Sequence, residues 1–128
     1  MKSGTIYLLF LALFMSSGLL AQNKKKTLPN LNGKWVSRED PGNTLLVKNG
    51  WIYESHGKAI DTFRYEISGR NCAPGKWGDK KSFFVRKRNM LNKDIQCYKL
   101  LSFSSNAFSI ISDGNDTIYR FIRYLKQY

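Results

Sequence analysis

The sequence predicts an all-β fold: a small antiparallel up-and-down β-barrel of about eight strands. Three observations lead there. Short runs rich in β-branched and aromatic residues recur along the chain, each bounded by Gly, Asn, Asp or Ser. Several runs alternate apolar and polar residues with period two, as antiparallel strands do when one face is buried. The connections are nearly all short, which favours a meander, and closing a meander into a barrel removes its exposed edges.

The chain opens on Met1-Lys2, continues with an apolar run from Ile6 to Met15, and passes through Ser16-Ser17-Gly18 to Leu19-Leu20-Ala21-Gln22. A positive start, a short apolar run and small residues before a cleavage point make residues 1–21 a secretory signal peptide. The run is shorter than a bilayer-spanning helix needs, and no later stretch approaches that length. The expected location is periplasmic or secreted. Residues 22–32 read as a flexible basic lead-in containing Lys24-Lys25-Lys26. Residues 33–128 form the barrel domain, enough chain for one core and not for two.

The strands follow in order. Gly33 to Arg38 is the first, and Asp40-Pro41-Gly42-Asn43 turns the chain. Thr44 to Lys48 and Trp51 to His56 flank Asn49-Gly50, the pair that suits a type I′ turn because both positions take positive φ. A two-residue turn sets Lys48 opposite Trp51, Val47 opposite Ile52 and Leu46 opposite Tyr53. From Ile60 to Ser68 the alternation is clean: Phe63, Tyr65 and Ile67 share one face, and Thr62, Arg64 and Glu66 the other. Gly69 to Lys80 is a loop broken by Gly69, Pro74, Gly75 and Gly78. Ser82 to Arg88 is a strand with a basic end, on which Arg86 and Arg88 share one face and Lys87 takes the other. Ile95 to Phe103, Ala107 to Ser112 and Thr117 to Leu125 complete the set. On the first of these, Ile95, Cys97, Leu101 and Phe103 share a face.

The formal net charge is +12, and signal cleavage removes only Lys2 from it. So basic a chain favours anionic partners, either an anionic surface or an acidic protein, and export argues against nucleic acid. The only two cysteines are Cys72 and Cys97; in an exported chain an isolated pair is most simply a disulfide. No metal or catalytic set is visible. His56 is the only histidine, Glu39 and Asp40 diverge in a turn, and the acidic turn at Asp113, Asn115 and Asp116 lacks the bidentate Glu of a calcium loop. No cofactor and no enzymatic activity are expected.

Gly33-Lys34-Trp35 at the start of the first strand resembles the G-x-W motif that opens lipocalins and related calycin barrels. The segments Asn71-Cys72, Gln96-Cys97-Tyr98 and Phe108 to Phe121 resemble the short lipocalin-like proteins exported by Bacteroidota. The resemblance covers about Leu31 to Leu125. It implies that Trp35 closes one end of the barrel beside Gly33 and that Arg120 or Arg123 packs over it. It also implies a non-catalytic binding function for a small apolar or amphiphilic ligand.

Aromatic and apolar strand positions supply the candidate ligand-binding residues Leu46, Tyr53, Phe63, Tyr65, Phe84 and Tyr98. Trp51 beside the hairpin tip, Trp77 in the glycine-rich loop, and Lys80, Lys81, Arg86 and Arg88 are candidate surface contacts for an anionic group. A rival reading is a protein-interaction module, such as an inhibitor of an exported hydrolase, with a filled core and a basic contact surface. A cavity favours the first reading and a solid core the second.

Overall fold

The structure is a computed structural model that describes residues 27–78 and 81–125. The expected signal peptide, the first part of the lead-in and Lys80 lie outside the described residues. Eight strands run β1 (Gly33–Ser37), β2 (Asn43–Lys48), β3 (Trp51–His56), β4 (Ala59–Ser68), β5 (Phe84–Asn89), β6 (Ile95–Phe103), β7 (Ala107–Ser112) and β8 (Ile118–Arg123). Each pairs antiparallel with the next and β8 pairs back onto β1, so the sheet is a closed up-and-down barrel. No helix occurs among the described residues. The expected strands are all present, with ends that move by at most two residues.

The β2–β3 hairpin shows how local chemistry sets the wall. Asn49 has φ 50° and Gly50 φ 90°, the left-handed pair that a two-residue turn requires. The register is then Lys48 with Trp51, Val47 with Ile52, Leu46 with Tyr53 and Leu45 with Glu54. Side chains alternate across the sheet, so Leu45 and Val47 turn inward with Ile52 and Glu54, while Leu46 and Tyr53 turn outward. β4 behaves as its alternation requires. Phe63 is buried, Tyr65 and Ile67 pack against the core, and Arg64 and Glu66 are exposed. On β6 a bulge between Leu100 and Ser102 sets Leu101 outside the ladder. There Ile95, Leu101 and Phe103 are exposed, whereas Tyr98 and Leu100 enter the core.

Trp35 forms the floor of the barrel. It is fully buried, and its indole Nε1–H donates to the Leu31 carbonyl at 2.8 Å, tying the segment before β1 across this end. Its ring system meets Phe108 in a T-shaped contact at 4.8 Å between centroids, and Phe108 stacks on Phe121 at 4.9 Å. Arg123 lies over the indole, with its guanidinium carbon 4.3 Å from the ring centroid. The same guanidinium donates from Nε to the Ser105 carbonyl at 2.6 Å and from Nη1 to the Asn32 carbonyl at 3.2 Å. Gly33 has φ 134°, and a Cβ there would run into the Arg123 guanidinium, so only glycine leaves room for this cap. Arg123, not Arg120, therefore packs over Trp35. Arg120 sits outside and pairs with Glu39 at 2.9 Å.

The long β4–β5 connection is held on the outer wall. Cys72 and Cys97 form a disulfide with 5.7 Å between their Cα atoms. Phe84 precedes the inward Val85 and so faces outward, yet it is 1 % exposed because this segment lies over it. Trp77 packs on it at 6.0 Å between ring centroids. The Asn71 amide donates to the Trp77 carbonyl at 2.6 Å, and Lys76 Nζ reaches the Asp113 carbonyl at 2.6 Å and Asp116 Oδ1 at 2.7 Å. The result is a satellite cluster outside the sheet, with Trp77 as its lid.

Candidate functional site

The barrel interior is not filled. A cavity of about 420 Å³ runs from Leu31, Phe108 and Phe121 near the floor to the opposite end of the barrel. Its deeper wall is apolar and aromatic: Val47, Ile52, Phe63, Val85, Ile110 and Tyr119. Its mouth is polar, because the strand ends there contribute Asn43, His56, Asp61, Asn89 and Gln96 and the β5–β6 turn adds Asn92 and Asp94. The volume falls within the range of small-molecule pockets, which join an apolar lining to a few placed polar groups.

Between floor and mouth stands an ion pair. Lys87 Nζ donates to Glu54 Oε2 at 3.3 Å, with the two side chains only 14 % and 15 % exposed. Glu54 Oε1 lies 2.9 Å from His56 Nε2. The Lys87 ammonium is also 4.2 Å from the ring centroid of Phe63 and 5.2 Å from that of Tyr98, so two aromatic faces help to hold the cation. The Asn43 side-chain oxygen is buried and has no hydrogen-bond partner, an open acceptor in the same lining.

Tyr98 donates its phenol to Gln96 Oε1 at 2.8 Å. Burial, reinforced by the Glu54 carboxylate, raises its pKa far above the ordinary tyrosine range. A folded-state pKa above the unfolded one gives stability that is fully present below about pH 10 and is lost as pH rises beyond it. Stability should fall above that pH with an added slope of about 1.4 kcal/mol per pH unit from this residue. Urea midpoints measured across the alkaline range for the wild type and Tyr98→Phe should diverge accordingly. Parallel profiles would show that Tyr98 ionises freely in the folded protein.

The sequence candidates divide among several places. Phe63 and Tyr98 line the cavity. Tyr65 packs against the core without reaching the cavity lining. Leu46 and Tyr53 lie on the outer wall, and Phe84 is sealed beneath Trp77. Trp51 is partly exposed, with Arg64 stacked over it at 4.7 Å. Arg86 and Arg88 face outward as the alternation requires, and Arg86 reaches Glu66 at 3.5 Å. Lys81 lines a shallow outer groove with Leu28, Phe83, Phe103 and Arg123.

The polar lining residues Glu54, His56, Asp61 and Lys87 are absent from the sequence candidates. The Asn49-Gly50 register already sets Glu54 on the face of Leu45, and the β5 alternation already separates Lys87 from Arg86 and Arg88. Both are charged residues with polar neighbours in sequence, so residue type alone does not mark them as interior. Among the described residues no group of three or more His, Cys, Asp or Glu could hold a metal ion. No helix among them is long and apolar enough to cross a membrane. No family model matches the chain, and no curated protein or solved structure shows significant similarity to it.

Proposed function

We propose that this protein is an exported, non-catalytic, lipocalin-like binding protein that holds a small apolar or amphiphilic molecule inside its barrel. The observation that carries the reading is the cavity of about 420 Å³ with an aromatic floor and a polar mouth. An apolar body entering it would be stabilised by about 25 cal/mol per Å² of surface removed from water. A polar end would remain among the hydrogen-bonding groups of the mouth. The disulfide and the signal-like first residues support placement outside the cytoplasm. The alternative, a protein-interaction module with a basic contact surface, calls for a solid core, so the cavity favours the binding reading.

The expected result is a bound small molecule in native mass spectra of the exported protein, purified without detergent and released on denaturation. An apolar fluorescent probe should bind the emptied protein, and Ile110→Trp, which fills the cavity from β7, should weaken it about tenfold or more while circular dichroism stays unchanged. A bare monomer that is silent to such probes would overturn the reading.

A further inference from the structure

The geometry points to an amphiphile ending in a carboxylate as the ligand class, with Lys87 receiving the head group. The inference rests on the binding reading above and adds the chemistry of the ligand's polar end. Glu54 and Lys87 are the most enclosed charged groups in the cavity wall, and their hydrogen-bonding capacities are unequally used. Each Glu54 oxygen already has a cationic or N–H partner, His56 at one and Lys87 at the other. The Lys87 ammonium has three donors, of which one goes to Glu54. The others have no acceptor among the described residues, while Phe63 and Tyr98 hold the nitrogen at the cavity wall. Among the charged groups the unfilled capacity is therefore that of a cationic donor, and its complement is an anionic acceptor; the open Asn43 oxygen is a neutral acceptor and asks for no charge.

A ligand amine meets the opposite situation. It would approach a carboxylate already shared between His56 and Lys87, with the Lys87 ammonium beside it as a like charge. Asp61, opposite Glu54 in the β3–β4 register, and Asp94 also line the cavity, but both are exposed at its rim. Water and salt screen them there, so they do not decide what binds at depth. A carboxylate could instead join Lys87 while Glu54 keeps His56. The alkyl body would then run past Phe63 and Ile110 to the Phe108 and Phe121 floor.

The test is displacement of an apolar fluorescent probe by dodecanoate, dodecanol and dodecylamine, each below its micelle-forming concentration. Dodecanoate should bind the wild type about tenfold tighter than the other two, the ratio expected of one charge-assisted hydrogen bond. Glu54→Gln, which releases Lys87, should widen that preference. Lys87→Met/Glu54→Gln, which removes both charges of the enclosed pair, should abolish the preference, so that dodecanoate and dodecanol bind alike. Equal affinity for all three, or tightest binding of dodecylamine, would overturn this inference and leave the cavity reading standing. Failure of all three and of the probe would overturn both.

Discussion

Trp35→Ala should destabilise the protein by about 3–5 kcal/mol, the range for deleting a large buried aromatic side chain. That is a large part of the total for a domain of this size, since natural stabilities lie near 5–15 kcal/mol. The effect has three sources. The indole makes the T-shaped contact with Phe108, it supplies the donor for the Leu31 carbonyl, and it is the surface on which the Arg123 guanidinium rests. Removing it opens a hole at the floor and deprives Leu31 of its donor. Trp35→Phe keeps part of the ring contact and loses the hydrogen bond, so it should cost less. Chemical denaturation checks the order: the midpoint should fall most for Trp35→Ala, with the slope unchanged. A midpoint within measurement error of wild type would show that the floor does not hold the barrel closed.

Loss of the disulfide should have the second largest effect. Replacing both Cys72 and Cys97 by serine frees a loop with a sequence separation of 25. The chain-entropy model then gives about 3.5 kcal/mol of lost stability. The outer-wall geometry adds a local expectation. With the covalent tie gone, the segment carrying Trp77 is held by its packing on Phe84 and by the Lys76 contacts with Asp113 and Asp116. Limited proteolysis should therefore cut the double variant first between β4 and β5. The same denaturation experiment reads the global loss. A cost below about 1 kcal/mol would mean that the aromatic lid and the lysine contacts secure this segment without the bond.

The wall of the barrel was legible because its signals are local. Asn49-Gly50 determines a turn, the turn determines a register, and the register orients every side chain of β2 and β3. The alternation of β4 needs no knowledge of its partners. The interior was less legible, because which residues enclose empty space depends on how eight strands meet around a common axis. Phe84 illustrates the difficulty: a large aromatic at a strand start reads as interior, yet the connection that leads into the strand folds back and buries it on the outside. Lys87 is the converse. Its neighbours Arg86 and Arg88 make the segment read as a solvated basic end, although the middle residue turns inward to Glu54. The cap over Trp35 required a choice between Arg120 and Arg123. Only the closing pairing of Trp35 with Arg123 brings the right guanidinium to the floor.

That closing pairing has a kinetic consequence. Every other ladder in the barrel joins strands adjacent in sequence, so each can form as a hairpin at a small loop-closure cost. The β1–β8 seam joins the two ends of the domain through three residue pairs, Trp35 with Arg123, Val36 with Ile122 and Ser37 with Phe121. Its entropy of closure is met only when the meander has already curled, and non-local pairings of this kind slow folding. The seam is thus the step at which an open, curled sheet becomes a barrel. Until it closes, β1 and β8 are bare edges able to pair with another chain. The cation–π contact at the floor, made across this seam, therefore also lowers the fraction of chains that present those open edges.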